Sequence, residues 1–339
     1  MRKNHNKFLL AIAMFFSVIL LSGCGTKLAA YNPHESVGKQ INYTITGIEA
    51  GAGIMSSTQN AMKAYGLNND KWQLQTSSTA AMTSTLGKSI KNHQPIVVTG
   101  WTPHWMFTKY NLKFLKDPKN VYGKAEDIHT IVRKGLKKDK PEAYEMLNRF
   151  NWKPAQMADV MLKVNKGEDP HKAANDWIKA NQKQVDTWTK GIKHVHGQSI
   201  KLTYVAWDSE IASTNVVANV LRSLGYKVDI QAMEVQPLWA SIATNAADGM
   251  VSAWLPTTQG LYYKDYKGKF VDLGANLHGA RVGLAVPTYM KNFKSIGDLK
   301  ERIRRISGTT LVGKGSFRKL ITYQVKPSST DSMVFLWRQ

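Results

Sequence analysis

Three tryptophans occupy the same kind of place in this chain. Pro95-Ile96-Val97-Val98-Thr99-Gly100 reads as a strand and runs into Trp101. Ile200-Lys201-Leu202-Thr203-Tyr204-Val205 is a second β-run and leads to Trp207. Gly249-Met250-Val251-Ser252-Ala253 is a third and leads to Trp254. The carboxyl end of a strand is where open α/β sheets take their ligands. What three indoles can do together is hold a cation, because each ring face attracts positive charge by about 0.5–2 kcal/mol. A quaternary ammonium has no N–H to donate, so its recognition calls for several such faces. A ligand that also carries a carboxylate needs an anion site. The turn Gly51-Ala52-Gly53-Ile54 can supply one, with the Gly53 and Ile54 amides at the N-terminus of a predicted helix.

Catalytic chemistry is poorly served by comparison. His104, His129, His194 and His196 are scattered, and the pair His194-Val195-His196 has no acidic or cysteine partner nearby. Ser209 sits between Asp208 and Glu210 but outside a nucleophile elbow. There is no phosphate-binding glycine loop. Cys24 is the only cysteine, which rules out a disulfide framework, a zinc-thiolate site and a cysteine nucleophile. The residues therefore point to a binding protein with no enzymatic activity, no cofactor and no metal. Two readings from other classes stay beside it. One is a surface enzyme acting on a cationic metabolite; the other is an adhesin that binds the cell wall.

The elements that must position these residues fall into two similar units. Ile41 to Ile48 reads as a strand, Ser56 or Ser57 as the cap of the helix after it, and Trp72-Gln73-Leu74-Gln75 as a second strand. A helix from about Ala80 to Lys91 precedes the strand into Trp101. Residues 199–258 repeat the plan. Ser209 is placed to cap a helix ending at Gly225, Tyr226 to Gln231 alternates as a strand, and a helix near Pro237 to Ala247 precedes the strand into Trp254. Two more strands, Ile128 to Arg133 and Arg281 to Pro287, read as connectors that cross between the units and act as hinges. Between Pro141 and His194, aromatic and apolar residues including Phe150, Trp152, Trp177 and Trp188 recur at helical spacing and read as core. The fold expected is α/β, two-lobed, with a ligand cleft between the lobes.

Length and ends complete the organisation. The chain has 339 residues, enough for two lobes of ordinary size. Arg2, Lys3 and Lys7 precede an apolar stretch from Phe8 to Leu21 that is short for a membrane span and ends in Leu21-Ser22-Gly23-Cys24. This reads as a lipoprotein signal over residues 1–23, with Cys24 diacylated as the new N-terminus; two acyl chains anchor stably. Residues 24–40 read as a tether, 41–127 plus 282–300 as lobe 1, and 128–281 as lobe 2 with its helical segment 140–196. Residues 301–339 show no clear period and receive no role. The net charge of +22 is spread over predicted helix faces. That pattern suits a solvated surface beside anionic lipid or wall polymer more than nucleic acid.

Four stretches carry a resemblance to a known family. Gly47-Ile48-Glu49-Ala50-Gly51-Ala52-Gly53-Ile54-Met55, Thr99-Gly100-Trp101-Thr102-Pro103-His104-Trp105-Met106, Tyr204-Val205-Ala206-Trp207-Asp208-Ser209-Glu210 and Ser252-Ala253-Trp254-Leu255-Pro256-Thr257-Thr258 closely resemble the glycine betaine-binding lipoproteins of Gram-positive osmoprotectant ABC importers. The resemblance covers about residues 20 to 300. It implies a two-lobed type II (periplasmic-binding-protein-like) fold that closes on glycine betaine, with proline betaine as a further ligand, for delivery to a permease and ATPase at the outer face of the cell membrane. It places Trp101, Trp207 and Trp254 at the cage of the trimethylammonium group and Gly53 and Ile54 at the carboxylate. The family also sets a histidine against the carboxylate, where this chain has Gln259. Glutamine cannot carry the positive charge, so weaker binding is expected than in relatives with histidine. Choline would leave the Gly53 and Ile54 amides unused, and carnitine is expected to strain a tight cage.

Overall fold

A computed structural model describes residues 29–300. The expected signal segment, Cys24 and the tail fall outside the described residues. Nine strands follow in chain order: β1 (Thr44–Thr46), β2 (Gln73–Gln75), β3 (Val97–Thr102), β4 (Leu112–Phe114), β5 (Glu126–Arg133), β6 (Ser199–Tyr204), β7 (Lys227–Ala232), β8 (Gly249–Leu255) and β9 (Phe270–Pro287). β2, β1 and β3 are parallel, with β1 in the middle. β7, β6 and β8 repeat that arrangement with β6 in the middle. The repeated plan in the sequence is thus a repeated sheet topology. In both units the central strand comes first in the chain and the third strand carries a tryptophan as its last residue but one, Trp101 in β3 and Trp254 in β8.

Helices join the strands in each unit. α1 (Gly53–Ala64) and α2 (Thr79–Lys91) belong to the first, followed by the short α3 (Trp105–Lys109). Ser78 caps α2, its side chain accepting from the Ala81 amide, and Met82 and Leu86, four apart, face the core. Between the units lie α4 (Pro141–Arg149), α5 (Pro154–Asn165), α6 (Pro170–Ala180) and α7 (Gln182–Thr189), three of them opened by proline at the first helical position. α8 (Asp208–Ser223) follows β6, and α9 (Val235–Ala243) and α10 (Gly260–Asp265) come after it; two four-residue α-helical turns, Val37–Gln40 and Leu136–Asp139, lie outside this series. α8 buries twelve residues, on all sides, because it packs on β6, β7 and β8 and against α5 and α6. Its small and branched residues Ala212, Ser213, Val216, Val217 and Ala218 allow that close approach. No helix among the described residues is long and apolar enough to cross a membrane.

The connectors differ from expectation. The strand expected at Arg281 begins at Phe270 and runs eighteen residues. Its first part pairs antiparallel with β5, from Arg133↔Phe270 to Glu126↔Ala280, and its last part pairs with β3 and β4. β9 therefore hydrogen-bonds to both sheets, whereas β5 pairs with β8 and β9. Gly274 and Gly279, at φ 93° and 81°, interrupt the sequence pattern where the β5–β9 register slips. Such left-handed glycines are how a strand takes up a bulge.

Candidate functional site

The pocket of interest lies beyond the carboxyl ends of β1, β3, β6 and β8, at the boundary between the two parallel units. It holds about 330 Å³ of empty space, part of it open to solvent, and is lined by Trp101, Trp207, Trp254, Gly53, Ile54, Ile48, Ala52, Ser209, Thr258 and Val282. Five of the six residues expected at the site thus meet around one space. Trp101 and Trp254 project from within their strands, beside Val282 and Ile128 respectively in the neighbouring strands. Trp207 stands three residues past Tyr204, the end of β6, as the N-cap of α8 with extended backbone.

One hydrogen bond across the units holds the Trp207 ring, and another fixes the histidine that lies against Trp101. The Trp207 Nε1–H donates to Glu49 Oε2 at 3.2 Å. Glu49 is itself fixed by the Thr79 amide at 2.8 Å and the Thr79 hydroxyl at 3.0 Å. His104 lies edge-on to Trp101 with ring centroids 4.5 Å apart. Its Nδ1 accepts from the Met106 amide, capping α3, so Nε2 is left to donate to Asp208 Oδ2 at 3.1 Å. Glu49 received no role in the sequence reading, and His104 was read only as one of four scattered histidines. Glu49 lies inside a quoted motif, but nothing local says that its carboxylate meets an indole 158 residues away.

The anion side is built from helix termini. α1 starts at Gly53, with Ala52 as an N-cap that offers no side-chain oxygen. The hydroxyl cap expected at Ser56 or Ser57 is not formed, because those residues are already inside the helix. The Gly53 and Ile54 amides, first in the helix, have no intrahelical partner and carry the positive end of the dipole. Glycine is required at position 53. A Cβ there would stand 1.9 Å from the Thr258 carbonyl oxygen, which belongs to the other unit. The Thr258 backbone is held in turn by buried Glu126, which accepts the Thr257 and Thr258 amides at 2.7 Å each and the Thr258 hydroxyl.

Gln259 departs from its expected place. It is buried and does not line the pocket. Its Oε1 accepts the Trp239 indole N–H at 3.1 Å, and its side chain lies beside Glu210. Burial raises the Glu210 carboxyl to about 8, although the Val205 amide, Ser252 and Gln259 pull the other way. Glu210 Oε2 accepts the Val205 amide at 2.6 Å, and the carboxyl lies in a buried polar cluster with Ser252 and Gln259. The predicted N-cap role of Ser209 also fails, since the N-cap is Trp207, two residues earlier, and α8 has no side-chain cap.

Comparison with known proteins identifies the family. Residues 26–180 and 198–319 match the family model described as the substrate binding domain of ABC-type glycine betaine transport systems. The chain is 65% identical over 294 residues to the glycine betaine/carnitine transport binding protein GbuC of Listeria monocytogenes, covering 87% of this chain and 98% of that protein. Among solved structures, it is similar to lactococcal OpuAC in its closed form with glycine betaine. That match has 49% identity and a TM-score of 0.43, over 49% of this chain and 64% of the other. It is also similar to the glycine betaine/L-proline-binding protein ProX of Borrelia burgdorferi, with 32% identity and a TM-score of 0.43, over 49% and 63%. Both structural matches span less than two thirds of the solved chain. The family match covers most of the sequence, and the chain belongs to the family of substrate-binding domains of ABC-type glycine betaine transport systems.

Proposed function

We propose that this chain captures glycine betaine outside the cell and delivers it to the permease and ATPase subunits of an ABC importer, in support of osmoprotection. The observation that carries this reading is the convergence of Trp101, Trp207 and Trp254 on one pocket beside the free amides of Gly53 and Ile54. The indole faces hold the trimethylammonium group and the two amides hold the carboxylate. Residues 41–127 plus 282–300 and residues 128–281 act as two lobes, with β9 running between them. Ligand bridges the lobes and favours the arrangement in which Trp207 meets Glu49 and His104 meets Asp208, since only that arrangement assembles the whole pocket. Cys24 carries the lipid anchor, which sets the domain on the outer face of the membrane without a spanning helix.

The relative in Listeria is named for carnitine as well as glycine betaine, which argues against the expectation that carnitine is too long. Carnitine and proline betaine are therefore competitors to test. Tryptophan fluorescence during glycine betaine titration checks the reading. A saturable change that is lost in Trp207→Ala is expected, and carnitine or proline betaine should displace the signal if they share the pocket. No change at millimolar glycine betaine would overturn the assignment.

A further inference from the structure

Two hydroxyl side chains line the pocket, and they differ in one respect. The Thr258 hydroxyl is taken by Glu126. The Ser209 hydroxyl is buried, with the residue 1% exposed, and its Oγ has no hydrogen-bond partner among the described residues. An unpartnered buried hydroxyl is destabilising. Ser209 is the one pocket-lining residue whose side-chain oxygen or nitrogen is orphaned in this way among the described residues. A cap would have used it, but Trp207 occupies the N-cap position and α8 has no side-chain cap. The first amides of α8 also lack intrahelical partners, so the hydroxyl sits at the positive end of a sixteen-residue helix. Positive potential there favours an anionic oxygen over the ammonium.

We infer that Ser209 Oγ is a ligand-binding donor: in the loaded pocket it gives a hydrogen bond to the ligand's carboxylate, from the unit opposite the Gly53 and Ile54 amides. This rests on the betaine reading above and extends it. The carboxylate is then shared between two helix N-termini, α1 on one side and α8 on the other. Holding one ligand group from both units would link its capture directly to their approach. It also explains why the carboxylate can be served in a chain whose Gln259 side chain is committed to Trp239.

Titration calorimetry with glycine betaine on wild type, Ser209→Ala and Ser209→Cys, with thermal unfolding of each ligand-free protein, tests the inference. Hydrogen bonds to charged groups are worth enough that Ser209→Ala should weaken binding roughly tenfold to hundredfold. Ser209→Cys keeps the volume but has only a weak donor, so it should lose nearly as much. Removing an orphaned hydroxyl leaves the ligand-free Tm unchanged or higher, which a structural serine would not do. Unchanged affinity in both variants, or a fall in affinity that tracks a fall in ligand-free Tm, would overturn the assignment. Failure of the wild type to bind glycine betaine would instead overturn the betaine reading on which it rests.

Discussion

The molecule contains two groups of three buried tryptophans, and they do opposite things. Trp152, Trp177 and Trp188 come from the helical segment and pack on one another. Trp177 stacks on Trp188 at 6.0 Å, Trp152 meets Trp177 edge-on at 5.6 Å, and Phe150 meets Trp188 at 5.1 Å. Trp101, Trp207 and Trp254 are as well buried, at 5%, 7% and 3% exposure against 4%, 4% and 0%. Yet their faces border a space. Burial therefore does not separate a core from a site. What separates them is the partner: the first three rings pack on one another, whereas Trp207 meets Glu49, Trp101 meets His104, and all of the second three border open space.

The contrast breaks most sharply under alanine. Trp188→Ala should cost about 3–5 kcal/mol of stability and leave the affinity of the folded protein nearly unchanged. Trp207→Ala should do the reverse, losing about 2 kcal/mol or more of binding, roughly thirtyfold, with a smaller stability change. Denaturation and titration of both variants measure this, and like behaviour of the two would erase the distinction. Next in size is Gly53→Ala. Its Cβ would overlap the Thr258 carbonyl, and overpacking of this kind costs about 1–3 kcal/mol, so affinity should fall tenfold or more because the units cannot meet.

A third test concerns the polar layer behind the cage. The Glu210 carboxyl is raised from 4.5 to about 8, so the folded protein holds a proton that the unfolded chain has released over that interval. This contribution to stability is fully present below about pH 4.5 and is lost as the pH rises through 8, at up to roughly 1.4 kcal/mol per pH unit. Glu210→Gln should flatten the dependence of Tm on pH across that window, and an unaltered slope would contradict a neutral Glu210. The smallest effect is expected from Gln259→His. With the side chain turned to Trp239, glycine betaine affinity should change by less than about threefold. A tenfold gain would put residue 259 back at the carboxylate.

The sequence made the aromatic half of the site readable because it rests on local signals: a β-run that ends in Trp and an internal repeat of that ending. The Gly53 and Ile54 amides were readable for a similar reason, since a glycine turn before an amphipathic run marks a helix start. β9 was read only over Arg281 to Pro287 of its eighteen residues; Gly274 and Gly279 break the strand pattern before that stretch, although in a bulged strand they are the residues that let pairing continue. Ser209 was read as a cap on composition, but the N-cap falls two residues earlier, at Trp207, and Ser209 lines the pocket from inside the first turn. Gln259, Glu210 and Trp239 form a cluster between residues up to 49 positions apart, and no local pattern announces a tertiary contact of that kind.

The central claim is that Trp101, Trp207 and Trp254 recognise a quaternary ammonium. Titration calorimetry of the wild-type protein with glycine betaine and, separately, with glycine tests it most directly, because the two ligands share the carboxylate and differ in the three methyl groups. Saturable binding of glycine betaine with no measurable binding of glycine is the predicted result. Equal affinity for the two, or no binding of glycine betaine, would contradict the account.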